Sequence, residues 1–309
     1  MFFLSKIYRR PSFIILIAAF LFASCTGQQN KQNTTYSFDL QGHRGCRGLM
    51  PENSLAAFEK ALELGVTTLE LDLAVSADSQ LVVSHEPWFS ASICTDSLGN
   101  AIGEEEEKSL NIHAHTYQQV ALYDCGSIGN PRFPEQQKMA QQKPLLKDVV
   151  AFVKKYTADK NQDLPNFNIE IKSSPEGDGI YHPSPAVFSD LLHNFLQENL
   201  PKAKVTVQSF DVRVLQYWNQ KYPDYTLAYL VWEENTVEGH LQILGFTPAI
   251  YSPAYQLLDE EKVKKLHEMN MQVIPWTVNE TEEMEKLLAM GVDGIITDYP
   301  DRALGFKGE

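Results

Sequence analysis

His43 and Arg44 sit in "DLQGHRGCRGLMPENS", residues 39–54, where three glycines and a proline leave little with which to build a core. A titratable ring and a guanidinium fork in such a loop have chemical uses: proton transfer near neutral pH and a two-point grip on an oxyanion. A lone histidine on a loop is more commonly a surface residue. Here a second one, His85, stands at the end of another apolar run, and Glu70 and Asp72 precede it in "TTLELDLAVS", sharing one face because side chains alternate along a strand. Glu170 in "NIEIK" adds a third carboxylate, with Lys172 close behind. Two histidines can divide proton transfer, one accepting from a nucleophile and one donating to a leaving group. That division matters most for a poor alkoxide leaving group, as in a phosphodiester. Three facing carboxylates repel one another, and burying them unpaired costs several kcal/mol. One divalent cation would remove that penalty, and an all-oxygen set suits Ca²⁺ or Mg²⁺ rather than Zn²⁺. Arg44 and Lys172 would complete a pocket for an anion. On residues alone the competing arrangement is structural: Glu70 paired with Lys172 and Glu170 with Arg44 inside a barrel.

These residues need elements to carry them. From residue 38 the chain alternates short β-rich runs with amphipathic stretches. The strand candidates are "FDLQG", "TTLELDLAVS", "LVVSHE", "FNIEIK", "KVTVQSF", "TLAYLVW", "AIYSPAY", "QVIPWTV" and "GIITDY". Helical spacing recurs in "ENSLAAFEKALELG", "KPLLKDVVAFVKKY", "PAVFSDLLHNFLQEN", "DVRVLQYWNQKYP", "LDEEKVKKLHEMN" and "ETEEMEKLLAMG". Such alternation predicts a parallel sheet with covering helices, and at this length an α/β barrel of eight strands, the TIM (β/α)8 type. The surplus strand follows from "ADSQ", too short for a parallel crossover. The second and third runs therefore form a hairpin turning near Ala77 and Asp78, which would set Glu70 opposite His85 and Asp72 opposite Val83. Residues 87–143 lack any clear period. They read as an irregular insertion over the C-terminal mouth, or else as a floppy surface excursion. Gln208, Ser209 and Phe210 end a strand at that mouth, where a lining role is open to them. His182, His193, His240 and His267 show no partner in the sequence and are expected to be solvated or to cap helices.

The whole chain sets bounds. Lys6, Arg9 and Arg10 precede an apolar run from Pro11 to Ser24 that is short of a membrane span, the arrangement of an export signal. "LFASC" resembles the lipobox of bacterial lipoproteins, which implies lipidation at Cys25; an uncleaved anchor or a plain secretory signal are the alternatives. Residues 26–37 would then be a flexible tether, and residues 38–309 a domain held in the cell envelope, facing the periplasm or the cell surface. The net charge is 26 minus 40, or −14, with no basic stripe, so nucleic acid is not an expected partner. "GEEEEK" at 103–108 reads as a solvated loop. Beyond Cys25 the thiols are Cys46, Cys94 and Cys125; Cys94 and Cys125 flank one irregular segment and are the favoured pair, with Cys46 a packed core group. Oligomeric state is not legible.

"GHRG", "PENS", "ELDLAVSADSQLVVSHE", "IEIK", "WTVN" and "GVDGIITDYP", in that order along nearly the whole mature chain, resemble the glycerophosphodiester phosphodiesterase family. The resemblance implies a barrel of the phospholipase-C-like phosphodiesterase type and metal-dependent hydrolysis of small-molecule glycerophosphodiesters to sn-glycerol 3-phosphate and an alcohol. It places His43 and His85 as the acid/base pair, and Glu70, Asp72 and Glu170 as metal ligands. Arg44 and Lys172 become phosphate contacts, Glu52 a supporting residue at the mouth, and Trp276 a wall of the substrate pocket. Which histidine is acid and which is base stays open. Glu86 stands where the family usually has Asp, and "PWFS" replaces its customary stretch, so the leaving-group side should differ. A lipid-directed phosphodiesterase of the same superfamily, with Phe89 or Phe133 dipping into a bilayer, is one alternative; a non-catalytic phosphate-binding lipoprotein is another.

Overall fold

Glu70 and Asp72 can point into a barrel only because the residues alternating with them, Leu69, Leu71 and Leu73, are fully buried against the helix layer outside. They lie on β2 (Thr68–Val75), every residue of which is buried. The other strands are β1 (Asp39–Gly42), β3 (Leu81–Val83), β4 (Asn166–Ile171), β5 (Val205–Ser209), β6 (Thr226–Val231), β7 (Ile250–Pro253), β8 (Gln272–Val273) and β9 (Gly294–Thr297). The helices are α1 (Leu55–Glu63), α2 (Tyr117–Val120), α3 (Leu146–Lys160), α4 (Pro185–Asn199), α5 (Val212–Lys221), α6 (Val237–Leu244), α7 (Glu260–Glu268), α8 (Thr281–Ala289) and α9 (Pro300–Ala303). This computed structural model describes Phe2 and residues 35–308. Residues 3–34, which hold the apolar run of the expected export signal, Cys25 and most of the expected tether, lie outside the described residues. Among the described residues no helix is long and apolar enough to cross a membrane.

The strands run in the order β8-β7-β6-β5-β4-β2-β1-β9, all parallel, with β3 antiparallel on β2. The seam between the ends is held by the N–H groups of Asp293, Ile296 and Val278, which donate to the carbonyls of Val273, Pro275 and Ile296, each at 2.9 Å. Pro275 has no N–H to give, so the ladder there is thin. The result is the TIM barrel expected. Its interior divides into a polar half and an apolar half. Ala228, Ile250, Ile274 and Ile296 fill one side, while Gln41, Glu70, Asn168 and Gln208 hydrogen-bond across the other.

Local chemistry sets the elements that matter to the site. Ser54 caps α1, its hydroxyl accepting from the Ala57 N–H at 3.1 Å, and α1 then buries Ala57, Phe58, Ala61 and Leu62. The hairpin differs from expectation by one residue: Leu73 faces Val83 and Val75 faces Leu81. Ser79 adopts a left-handed φ of 60°, which lengthens the turn and shifts the register. A shift of one residue sends alternate side chains to the opposite face. A continued strand would therefore have carried His85 away from Glu70. The strand instead stops at Val83, the Ser84 N–H bonds the Asp72 carbonyl at 2.9 Å, and the bend turns His85 back to the mouth.

Residues 87–143 are not a floppy excursion. Phe89, Ile93, Ile102, Ile112 and Val120 form a second apolar cluster with Ala74, Val82 and Leu145 from the barrel side. Cys94 and Cys125 are disulfide-bonded within it. Phe89 is fully buried and stacked on Tyr123, and Phe133 is buried against Arg47, so neither aromatic is placed to enter a bilayer. Of the four histidines expected to be solvated or to cap helices, the buried His182, His193 and His240 depart from that expectation, whereas His267 is exposed in the last turn of α7. His182 accepts from the Ser174 N–H at 3.0 Å, His193 stacks on Tyr222, His240 bonds the Tyr251 hydroxyl at 2.7 Å, and His267 meets Asp293 at 2.9 Å. The chain is tied in from Tyr36, whose N–H reaches the Phe306 carbonyl at 2.7 Å, so the folded unit takes in the end of the expected tether.

Candidate active site

The loop after β1 answers why glycines surround His43. A side chain on Gly42 would strike the Gly45 carbonyl oxygen at 2.1 Å, and one on Gly45, at φ 84°, would strike Ala57 at 2.7 Å. The loop is thus pressed onto α1, and Arg44 itself is held at φ 51°, a conformation costing a non-glycine residue about 1–2 kcal/mol. In return the Arg44 N–H donates to Glu70 Oε2 at 2.8 Å. Asn53, also left-handed at φ 53°, donates from Nδ2 to Asp72 Oδ2 at 2.9 Å. Strain is concentrated where the backbone must meet the carboxylates.

Glu70, Asp72 and Glu170 are all buried, with ligand oxygens within 4.8 Å of one another. Parallel pairing sets Asp72 beside Glu170 in register, and Gln208 Nε2 donates to Glu70 Oε1 at 2.7 Å. Burial, then repulsion from Asp72, pushes the Glu70 carboxyl well above its usual range. Burial lifts Glu170 to about 7 despite Lys172. Asp72 goes the other way, because His85, Lys172 and Arg44 outweigh its burial. Three ionised carboxylates cannot share this space without a cation. Asp72 Oδ1 is buried without a hydrogen-bond partner, and the donor set is entirely oxygen. The residues therefore fit a hard divalent ion, as expected. The purely structural pairing does not occur: Lys172 Nζ lies 2.9 Å from Glu170 and 3.7 Å from Asp72, and Arg44 pairs with Glu52 at 2.8 Å and Asp72 at 3.4 Å. Arg44 Nε, the atom that faces Asp72 Oδ2 at 3.4 Å, is buried without a hydrogen bond.

Each mouth histidine is tied through Nδ1 to a carboxylate. His43 Nδ1 lies 2.7 Å from Asp298 Oδ1, at the end of β9. Asp298 also accepts from Arg47 Nε at 2.8 Å, Arg47 Nη2 at 3.0 Å and Asn279 Nδ2 at 2.9 Å. Burial would raise its pKa, but His43 and Arg47 hold it far below the usual carboxylate range. It is ionised and can only accept, so the His43 proton resides on Nδ1 and Nε2 keeps its lone pair. Burial lowers His43 to about 4. His85 Nδ1 lies 2.7 Å from Glu86 Oε1, and burial followed by Lys172 and Arg44 lowers it as well. Behind His85, Ser84 Oγ donates to the Glu86 carbonyl at 2.6 Å and accepts from buried Lys143 Nζ at 2.8 Å.

One cavity of about 260 Å³ is lined by His43, Arg44, Glu70, His85, Glu170, Lys172 and Trp276, joined by Arg47, Arg132, Gln208 and Phe210. Trp276 is fixed by its indole N–H, which donates to the Ser252 carbonyl at 2.9 Å. Glu52 stands behind Arg44 and is held to about 2 by Arg44 and Arg47 against its burial. Sequence reasoning missed Asp298, Arg47, Asn53 and Lys143. Arg47, Asn53 and Asp298 lie inside stretches already singled out, and an acid at the end of a barrel strand was the available signal for Asp298. Of the three residues ending β5, Gln208 and Phe210 line the cavity, whereas the Ser209 hydroxyl turns to the Ile171 carbonyl. Cys46 is buried with its thiol on the Ala57 carbonyl, and burial pushes it up to about 12, the packed group expected.

The sequence profile of the Glycerophosphoryl diester phosphodiesterase family matches residues 43–302. The chain belongs to that family. It is 26% identical over 265 residues to the glycerophosphodiester phosphodiesterase of Bacillus subtilis, covering 84% of this chain and 83% of that protein. Among solved structures, a phosphodiesterase of the family from Silicibacter pomeroyi superposes with a TM-score of 0.78 at 26% identity, over 88% of this chain and 95% of that one. A phosphodiesterase from Oleispira antarctica, solved with the product sn-glycerol-3-phosphate, shares the fold at a TM-score of 0.67 and 20% identity, over 85% and 94% of the two chains. The protein is a phosphodiester hydrolase acting on glycerophosphodiesters.

Proposed function

We propose that this family member cleaves glycerophosphodiesters to sn-glycerol 3-phosphate and an alcohol, using Glu70, Asp72 and Glu170 to hold one Ca²⁺ or Mg²⁺ ion and His43 and His85 to move protons. The observation that carries the reading is the lining of one cavity by both carboxylate-tied histidines and by two of the three clustered acids. His43 is the base: neutral above pH about 4, with its free Nε2 fixed by Asp298. His85 is the acid. Its side chain is 25% exposed against 12% for His43, and Glu86 supports the imidazolium. A phosphate on Arg44 and Lys172 offsets the two cations that now depress its pKa. Arg44 and Lys172 bind the non-bridging oxygens, Glu52 orients Arg44, and Trp276 walls the glycerol side. A bound divalent ion would supply charge neutralisation for the phosphoryl oxygens and take over part of the balance of the carboxylates that Lys172 and Arg44 provide.

Two-histidine catalysis is tested by His43→Ala and His85→Ala, each expected to lower kcat by about 10²–10⁴-fold over a panel of glycerophosphodiesters. EDTA should abolish turnover and metal add-back restore it. A variant with full rate, or turnover indifferent to EDTA, overturns the scheme. The location in the cell envelope rests on residues 1–25: Cys25→Ser should move the protein out of the membrane fraction, and its retention there would argue against lipidation.

A further inference from the structure

Residues 87–143 leave the barrel directly after Glu86 and return at Lys143, where the chain is pinned beside β3. The Val83 N–H donates to the Pro144 carbonyl at 2.8 Å, and Val82 bridges Leu145. Lys143 is 7% exposed and does not line the catalytic cavity. Among the described residues its ammonium makes one hydrogen bond, to Ser84 Oγ at 2.8 Å, and no ion pair. Burying a cation without a counter-ion is unfavourable, and an apolar side chain of similar length would fill the space without that cost. Packing therefore does not account for the lysine. We propose that Lys143 is a positioning residue for His85, locking through Ser84 the bend that aims this histidine at the departing alcohol; the inference deepens the phosphodiesterase reading and rests on His85 as its acid.

The ammonium sets the direction of the bonds around it. Burial lowers the Lys143 pKa to about 8, although Glu52 and Glu86 pull the other way. At neutral pH the group is therefore largely charged, and an ammonium donates but cannot accept. Ser84 Oγ must accept from Nζ, and its own proton is left for the Glu86 carbonyl, 2.6 Å away. That bond closes over His85, because it joins the residue before it to the residue after it. Glu86 holds the histidine a second time, with Oε1 at 2.7 Å from the ring Nδ1. The outer end of the bend is wet, the Glu86 side chain being 36% exposed. Its inner end is Ser84, fully buried, whose N–H bonds the Asp72 carbonyl at 2.9 Å. Lys143 fixes the hydroxyl of that inner anchor, and is itself held by the Tyr117 hydroxyl, which donates to its carbonyl at 3.3 Å. Without the ammonium the Ser84 hydroxyl is free to turn from Glu86, and misplacing a reacting group by about 1 Å can cost about 10²-fold in rate.

The test compares kcat for two diesters of glycerol 3-phosphate, one with choline and one with p-nitrophenol. A choline alkoxide needs a proton to depart and p-nitrophenolate does not, so the ratio of the two rates isolates acid catalysis. Lys143→Met should lower the choline-to-nitrophenol ratio by about tenfold, the size of one hydrogen bond to a charged group, with KM little changed. Ser84→Ala should lower it as far, and gives the same answer if the lysine variant does not fold. The double variant should fall no further, because the two residues act in series. A ratio that does not move, as when a loosened fold slows both diesters alike, overturns the proposal, and so do effects that multiply in the double variant. His85→Ala is the reference. If it leaves the ratio unmoved, the acid assignment fails, and the link is decided by NMR instead: the His85 ring signals should shift in Lys143→Met, and unmoved signals refute it.

Discussion

Asp298→Asn changes one oxygen to nitrogen in a group that accepts four hydrogen bonds, from His43 Nδ1, Arg47 Nε, Arg47 Nη2 and Asn279 Nδ2. An amide offers only one accepting atom. With its nitrogen toward Arg47 Nε, it becomes a donor to His43 Nδ1, the ring proton moves to Nε2, and the cavity loses its base. Turned the other way, its nitrogen confronts Arg47 Nη2 and Asn279 Nδ2. The first orientation loses the Arg47 Nε bond and reverses the His43 one, the second loses two bonds, and in both Arg47 keeps only Glu52, at 4.0 Å, as a carboxylate partner. The expected loss of stability is about 3–5 kcal/mol, the usual result of removing one partner from a buried ion pair. The wrong tautomer should lower kcat by about 10²–10⁴-fold, or ~3–5 kcal/mol of barrier at 1.36 kcal/mol per decade. Turnover of a glycerophosphodiester at saturating cation, well below the melting temperature, separates the two effects when thermal unfolding is followed alongside. A folded Asp298→Asn protein with kcat within threefold of wild type would falsify the assignment of His43 as an Asp298-oriented base.

Other expectations follow from the same geometry. Glu170 binds its proton more tightly folded, about 7, than at its ordinary 4.5, so the metal-free protein takes up protons on folding between those values and loses that stability as pH rises through the window. A cation displaces the proton; the rise in melting temperature on adding Ca²⁺ or Mg²⁺ should therefore be larger at pH 8 than at pH 5, and equal rises would count against the carboxylate cluster as the site. Reducing the Cys94–Cys125 bond, or replacing both with Ser, opens a loop of 31 residues. That should lower stability by ~3–4 kcal/mol on chain-entropy grounds, read from denaturant unfolding; an unshifted midpoint would show that the second apolar cluster holds the insertion unaided. Ser84→Ala strips buried Lys143 of its hydroxyl partner and should cost ~1–3 kcal/mol. Unchanged melting would mean that the ammonium finds another acceptor.

The strand and helix order was legible in the chain because alternation of period two and helical spacing are local properties, and all nine apolar runs became strands. The types of the site residues were legible too, since charged groups on an otherwise buried strand such as β2 must face something that compensates them. Register was not. Whether Val83 faces Asp72 or Leu73 depends on the left-handed turn at Ser79, and a serine carries no clear signal for that conformation. Nor did composition reveal that residues 87–143 would bury Phe89 and Phe133, because part of their cover lies elsewhere in the chain: Ala74, Val82 and Leu145 in the cluster of Phe89, and Arg47 and Tyr299 against Phe133. Asp298 meets His43 across 255 residues of sequence, a contact made only when β9 pairs with β1. Local pattern thus determined which groups this protein possesses. Closure of the barrel decided which of them touch, because hydrogen bonds and ion pairs act over a few ångströms in space, however long the chain between them.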